Sequence, residues 1–339
     1  MTAPEDTVIS ARDVSKSFPL EKGFLPTVRR RLTGRPLRTV SAVDSVSFDI
    51  ARGETVGIVG ESGCGKTTLA RILTGISQLN GGSLTYDGMP FDEYMKDPAR
   101  ALKVQMIFQD PQSSLNGRMT VLDIVGEAPV FHGLVPRSQK EAYVREYLEK
   151  VGLSPDFIHR YPHQFSGGQR QRVGIARALA VKPDVLVCDE SVAALDVSVQ
   201  AQIINLLMDI RRTLGLTMLF ISHDLGVIRH LCDRVIVMYL GRIVEIAPTE
   251  ALFANPLHPY TKMLLDGMPR ITTQRREFMS IRGEIPSPIN PPRGCHFNPR
   301  CPYSTKQCLD ARPPLDTAEK SRRVACINWR DAAEAAGQA

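Results

Sequence analysis

An α/β fold with a mostly parallel sheet is predicted, on two observations. Five short runs are β-rich and apolar throughout: "TVGIVG" (Thr55 to Gly60), "VQMIFQ" (Val104 to Gln109), "DVLVCDE" (Asp184 to Glu190), "LTMLFISHD" (Leu216 to Asp224) and "RVIVMYLG" (Arg234 to Gly241). Strands covered on both faces read this way, without the polar alternation of a half-exposed strand. Helical stretches separate the runs, and "AQIINLLMDIRRTL" sets Ile203, Leu206, Leu207 and Ile210 on one face. Strands and helices in alternation define the class.

Two regions break the alternation. From about Pro111 to Arg160 the sequence reads as a mostly helical insertion, with "EAYVREYLEKVGL" its clearest helix. Beyond about Asn255 the character shifts again, and "SIRGEIPSPINPPRG" is rich in proline and glycine. That stretch predicts a linker or irregular module instead of more sheet. No internal repeat is visible.

With 339 residues the chain can form one large domain and an appendage. Its 43% hydrophobic and 23% charged residues are ordinary for a globular protein. No stretch approaches the ~18 apolar residues of a membrane helix. The opening "MTAPEDTVIS" is acidic and polar, unlike a signal or transit peptide. If a membrane matters, another chain must span it. The net charge of +6 is concentrated partly in "TVRRRLTGRPLR", with Arg29, Arg30, Arg31, Arg35 and Arg38. A solvated loop is the favoured reading over a nucleic-acid arm or a lipid contact, and nucleic acid is not expected as a partner.

Gly60 to Thr67 reads "GESGCGKT", which fits G-x-x-x-x-G-K-[ST]. It follows an apolar strand and precedes "TLARILTG", a plausible helix, so the motif has its required context. Gly60, Gly63 and Gly65 let successive backbone N–H groups wrap a phosphate, and the helix N-terminus adds its dipole. Lys66 can reach the β- and γ-phosphates and Thr67 can ligate magnesium. The loop as a whole, with Glu61, Ser62, Cys64 and Thr68, is the expected ATP cradle. "VLVCDE" supplies what such a loop needs on a neighbouring strand: Asp189 for the magnesium shell, then Glu190 to polarise an attacking water as general base.

"FSGGQRQRVGIARAL", Phe165 to Leu179, closely resembles the signature motif of ATP-binding cassette (ABC) ATPases. Ser166, Gly167, Gly168 and Gln169 match its core, and Phe165 stands where leucine is usual. A serine and two glycines opening a helix again make an anion site, although the first loop already holds the phosphates. The resemblance implies why: two cassettes pack head to tail, and each signature caps the ATP on the other's loop. It also implies roles for Gln109 in "IFQDP", a magnesium- and water-sensing glutamine linked to a permease, and for His223 in "ISHD", a switch histidine at the γ-phosphate. Asp196 in "AALD" matches the D-loop, and Phe18 in "DVSKSF" matches the position that stacks on adenine. Ser191 replaces the usual proline after the glutamate, and Ala193 replaces a D-loop serine. The implied fold is a P-loop NTPase with a mixed sheet core, a helical subdomain at about 111–175 and a small irregular C-terminal module. The expected boundary divides 1–254 from 255–339.

The resemblance extends along nearly the whole chain. "IFQDPQSSLNGRMTV", "LDVSVQAQIINLL", "NPLHPYTKMLL" and "RGCHFNPRCP" look like the ATPase subunits of dipeptide and oligopeptide importers, with Asn116-Gly117 in place of Asn-Pro. That implies a second ATPase subunit (a different chain), two permease subunits, an extracytoplasmic solute-binding protein, and a place on the cytoplasmic face of the membrane. An importer for nickel or another small solute is the nearest rival, and a non-transport ABC ATPase a remoter one.

Cys64, Cys188 and Cys232 lie in core-like or tight-loop segments, while Cys295, Cys301, Cys308 and Cys326 form a C-x5-C-x6-C-x17-C tail. The spacing lacks the paired C-x2-C of common zinc sites. Four thiolates can hold zinc or an iron–sulfur cluster, and two disulfides are disfavoured in a cytosolic ATPase. The resemblance to importer tails tips the expectation to a [4Fe–4S] cluster, with Zn2+ the alternative.

Overall fold

The computed structural model describes residues 6–20, 39–191, 195–268, 283–319 and 321–331. The basic run at 29–38 and Ala193 lie outside them. Two sheets organise the rest. β1 (Thr7–Pro19) and β2 (Thr39–Ala51) pair antiparallel, and with β4 (Gly81–Tyr86) and β5 (Met89–Pro90) they form a sheet of order β2-β1-β4-β5. The larger sheet contains β3 (Thr55–Val59), β6 (Val104–Ile107), β7 (Val185–Asp189), β8 (Thr217–Ile221), β9 (Arg234–Tyr239), β10 (Arg242–Pro248), β11 (Asp316–Glu319) and β12 (Arg322–Val324). Its order is β11-β12-β10-β9-β3-β8-β7-β6. The stretch from β9 to β6 is parallel and the other pairings are antiparallel. The sheet is therefore mixed, and its parallel part consists of the five apolar runs.

Their uniform hydrophobicity has a direct cause. Ile58, Val187, Leu219 and Ile236 face a core shared with the antiparallel sheet. Val59, Cys188, Phe220 and Val237, their neighbours in sequence, face a second core under the helices. Alternate side chains leave a strand on opposite faces, so both faces being covered makes every position apolar. β1 and β2 bury only part of their length, in mixed patterns. No continuous run marks them, which is why they escape a search for apolar stretches.

α1 (Lys66–Leu73) follows β3; α2 (Val121–Phe131) and α3 (Lys140–Lys150) lie in the region read as a helical insertion, and α4 (Gly167–Leu179), beyond it, packs on both. α5 (Val197–Leu214) buries Ile203, Ile204, Leu207 and Ile210, close to the face expected from periodicity, and Gly215 ends it at φ 63°. α6 (Leu225–Leu231) is capped by the Asp224 carboxylate, which accepts from the N–H groups of Gly226 and Val227. α7 (Thr249–Ala254) and α8 (Pro259–Asp266) follow β10.

The C-terminal region differs from its expected irregularity. Residues 283–294 form turns and loops without helix or strand, but β12 pairs with β10 (Glu245 opposite Val324) and extends the main sheet. A three-residue strand and an exposed polar neighbour carry no sequence pattern of their own. Glu245 makes the join. Fully buried, it accepts from the N–H groups of Leu257 (3.0 Å) and His258 (2.9 Å) and from Arg322 (3.2 Å). Arg322 in turn donates to the Asn255 carbonyl. One carboxylate thus ties β10, the approach to α8 and the last strand.

Removing one member of a buried pair leaves the other charge uncompensated. Glu245→Ala is expected to lower the unfolding free energy by about 3–5 kcal/mol, read as a shift in urea midpoint. A change below about 1 kcal/mol, the range of an exposed pair, would refute this role.

Candidate functional site

The turn from β3 into α1 is tightly enclosed. Gly60, Gly63 and Gly65 have φ of 153°, 78° and 106°, in the region L-residues avoid. A Cβ on Gly60 would collide with the Met238 carbonyl oxygen, and one on Gly65 with that of Ala42. The backbone here sits against β9 on one side and β2 on the other. Lys66 is 5% exposed, and its ammonium donates to the carbonyls of Gly60 (2.7 Å) and Glu61 (3.1 Å). A cavity of about 280 Å3 opens above the turn, lined by Ser62, Gly63, Gly65, Lys66, Thr67, Thr68, Gln109 and Glu190. Val40, Ser41, Ala42, Leu240 and Pro288 complete the wall. These last five were not foreseen, since nothing in their residue types announces contact with a ligand.

Parallel pairing of β3, β8 and β7 carries the ends of these strands to the same edge. Thr67 Oγ1 donates to Asp189 Oδ1 at 3.1 Å. Burial raises the Asp189 carboxyl above its ordinary range, with the Thr67 hydrogen bond opposing and the Glu190 charge adding to the rise. Glu190 has φ 45°, an uncommon backbone for a side chain with a Cβ, and its N–H is held by the Ile221 carbonyl at 3.0 Å. Gln109 Nε2 donates to Glu190 Oε2 at 2.7 Å, while His223 Nδ1 lies 3.7 Å from Oε1. Glutamine, glutamate and histidine from three strand ends therefore meet beside the loop. Ser191 is buried beside the Cys188 thiol.

Other expected residues stand apart. Ser166 caps α4: its Oγ accepts from Gln169 N–H at 3.3 Å, and Gln169 Oε1 accepts from Ser166 N–H at 3.1 Å. Phe165 is buried in the helical core and touches Phe157 edge to face. A Cβ on Gly168 would run into Val199 Cγ1, so this glycine lets α4 approach α5. Neither the signature residues nor Asp196, which precedes α5, lines the cavity. Phe18 is half-exposed at the end of β1 and pairs across the sheet with Val40, which does line it. The Lys16 ammonium sits 5.3 Å from the Phe18 ring centroid.

The cradle and the signature therefore lie at separate places in the chain. Residues 43–193 match the ABC transporter family model, and residues 244–308 match that of the oligopeptide/dipeptide transporter C-terminal region. The dipeptide transport ATP-binding protein DppF of Haemophilus influenzae is 46% identical over 324 residues, covering 95% of this chain and 96% of its own. The chain belongs to the ABC transporter ATP-binding family.

The oligopeptide transport ATP-binding protein AppF of Bacillus subtilis is 45% identical over 331 residues, covering 96% of this chain and 98% of its own. Among solved structures, the dimeric ATP-binding cassette MJ0796 in a post-hydrolysis state with ADP and Pi matches with a TM-score of 0.60 at 26% identity. That match covers 71% of this chain and 98% of the other. Like the rest of this family, the chain is an ATP hydrolase. Among the described residues, no helix is long and apolar enough to cross a membrane.

This ABC ATPase carries its cysteine tail against α8. Cys295, Cys301, Cys308 and Cys326 line one cavity of about 10 Å3, with His258, Phe297, Tyr303 and Asn328 among its other walls. None of the seven cysteines is in a disulfide. Burial pushes the Cys301 thiol up to about 11 and that of Cys326 up to about 12, and raises Cys295 as well. Backbone N–H groups act in the opposite direction: those of Phe297 and Asn298 on Cys295, Tyr303 on Cys301 and Asn328 on Cys326. Burial pushes His258 down to about 3, and its Nδ1 accepts from Tyr260 N–H at 3.0 Å. Among the described residues, no three His, Cys, Asp or Glu side chains stand as a group that could hold a metal. The fold gathers the four thiols without closing them into a ligand set.

The enclosure of the turn is open to a direct check. A methyl group on Gly63 would meet no atom within 4 Å, so Gly63→Ala should cost only its left-handed strain, roughly 1–2 kcal/mol. Gly65→Ala adds a collision with the β2 backbone and should cost about 1–3 kcal/mol more. Chemical denaturation of both variants compares them, and equal losses would disprove the close approach.

Proposed function

We propose that this chain is the ATP-hydrolysing subunit of an importer for di- or oligopeptides. The observation that carries the reading is the union, in one chain, of the cassette with a C-terminal region matching that of oligopeptide/dipeptide transporters. Relatives named for dipeptide and oligopeptide transport, matched along nearly their whole length, support the same substrate class. The cassette, at about 1–254 with its helical subdomain at about 111–175, pairs with a second ATPase subunit of different sequence. Both sit on the cytoplasmic face beneath two permease subunits, and a solute-binding protein delivers the peptide from outside.

Each site residue has a task in this scheme. The N–H groups of residues 60–68 cradle the phosphates, and Lys66 leaves the Gly60 and Glu61 carbonyls to reach the β- and γ-phosphates. Magnesium, when bound, neutralises charge on those phosphates; Thr67, Asp189 and Gln109 are the residues that would hold it. Glu190 polarises the attacking water, aimed by Gln109 on one carboxylate oxygen and flanked by His223 near the other. His223 contacts the γ-phosphate. Phe18 stacks on adenine, and Ser166, Gly167, Gly168, Gln169 and Asp196 act on the ATP held by the partner cassette. ATP closes the pair and hydrolysis reopens it, a population shift set by nucleotide.

The subunit reconstituted with its permease and binding protein should show ATP turnover stimulated by peptide. Glu190→Gln should abolish that turnover, by at least about 100-fold, while retaining ATP and accumulating as a closed dimer on size exclusion. Wild-type turnover in Glu190→Gln would remove the assigned base, and stimulation by nickel instead of peptide would overturn the substrate class.

For the tail, the proposal is a structural [4Fe–4S] cluster on Cys295, Cys301, Cys308 and Cys326, with Zn2+ the alternative. Four sulfur donors around one cavity support it, as do the backbone N–H groups directed at three of them. The four thiols must draw together on metal uptake. Anaerobically purified protein should contain about four irons and four acid-labile sulfides per chain; zinc without sulfide would replace the cluster with the alternative.

A further inference from the structure

We propose that Arg300, in the cysteine module, is a positioning residue of the nucleotide site: it grips Glu61 and so sets the conformation of the phosphate-binding loop. The proposal rests on the reading of residues 60–67 as the ATP cradle. Glu61 is the second residue of that loop, 239 positions away in sequence. The guanidinium donates to both carboxylate oxygens, Nη1 to Oε2 at 2.7 Å and Nη2 to Oε1 at 2.9 Å. Such a fork fixes direction as well as distance. Their side chains are 2% and 14% exposed, so water does not screen the pair.

Both partners are held from behind. Arg300 Nη1 also reaches Tyr239 Oη at 3.3 Å, and its guanidinium lies 5.7 Å and 5.9 Å from the ring centroids of Tyr239 and Phe297. The Tyr239, Tyr260 and Phe297 rings pack together, with centroids 4.6–5.4 Å apart. Tyr260 Oη accepts from Glu61 N–H at 2.8 Å. The Glu61 carbonyl receives Lys66 at 3.1 Å and Cys64 N–H at 3.2 Å. Three groups of Glu61 are thus fixed: the side chain by Arg300, the N–H by Tyr260 and the carbonyl by the loop itself.

The consequence for binding is specific. A loop that offers N–H groups to phosphate works best when its turn already exists before ligand arrives. Gly60, Gly63 and Gly65 make the turn accessible but also make it floppy, and the clamp on Glu61 removes that freedom at one end. Arg300 is followed directly by Cys301, and its N–H bonds to the Phe297 carbonyl at 3.0 Å. The short helical turn Asn298–Arg300, between Cys295 and Cys301, is therefore the turn that aims the guanidinium.

The test compares full-length Arg300→Ala, Arg300→Lys, Glu61→Gln and Arg300→Ala/Glu61→Gln, with Lys66→Ala as the control. ATP affinity is read by equilibrium titration with a fluorescent ATP analogue, KM and kcat by phosphate release, and folding by thermal melting. Arg300→Ala and Glu61→Gln should each weaken ATP binding and raise KM by about tenfold, with kcat changed less than about threefold, because the loss falls on ground-state binding. The double variant should be no worse than either single variant, the mark of one shared interaction. Arg300→Lys should restore part of the affinity, keeping the charge but not the fork. Wild-type KM in a folded Arg300→Ala, or additive losses in the double variant, overturns the proposal. So does a parallel loss of melting temperature, KM and kcat that lysine does not rescue, which would mean a merely structural contact. If Arg300→Ala does not fold, Arg300→Lys and Glu61→Gln decide on the same KM criterion. Unchanged ATP binding in Lys66→Ala would instead remove the cradle reading itself.

Discussion

Backbone binding of phosphate requires a turn in which no side chain stands between the peptide N–H groups and the ligand. Much of this structure is arranged around the glycine turn proposed to be of this kind. Because a methyl group at Gly60 or Gly65 would strike the backbone of Met238 or Ala42, β9 and β2 must both close on it. That requirement brings the antiparallel sheet against the parallel one at the loop. The core between them, including Val56, Ile58, Phe48 and Leu69, fills the space so created.

Around the turn, the strand ends bring polar side chains together. Parallel strands of similar length bring Asp189, Glu190 and His223 to one edge, and Gln109 reaches across to Glu190. The serine–glycine signature spends its local bonds on a capping box and contributes no residue to the cavity wall. In the proposed function, the completion of such a divided site falls to a second cassette.

The C-terminal region is attached to the cassette by buried charge. Glu245 with Arg322 and Glu61 with Arg300 each join positions far apart in sequence, and both pairs are shielded from solvent. A buried ion pair contributes little net stability beside an apolar contact of the same size, but it penalises every arrangement that separates its members. The pairs therefore specify where the module sits. Its cysteine cavity, with α8 and the Tyr239–Tyr260–Phe297 cluster, lies within the same arrangement.

Sequence alone determined the parallel strands, the glycine turn before α1 and the signature helix. Each depends on interactions local enough to impose a residue pattern: two-sided burial on an apolar run, positive φ on glycine, a cap on Ser166 and Gln169. The antiparallel sheet was less legible, since β1 and β2 bury their residues in a mixed pattern that shares its composition with surface loops. Only the tertiary structure decided that Val40, Ala42 and Leu240 wall the cavity, that β12 extends the main sheet, and that Arg300 reaches Glu61. Those contacts join residues far apart along the chain, and an arginine that will be buried against a glutamate has the same local surroundings as one left in water. The four cysteines fall between the two cases: their clustering is written in the spacing, and their convergence on one cavity comes from the packing of the module against α8.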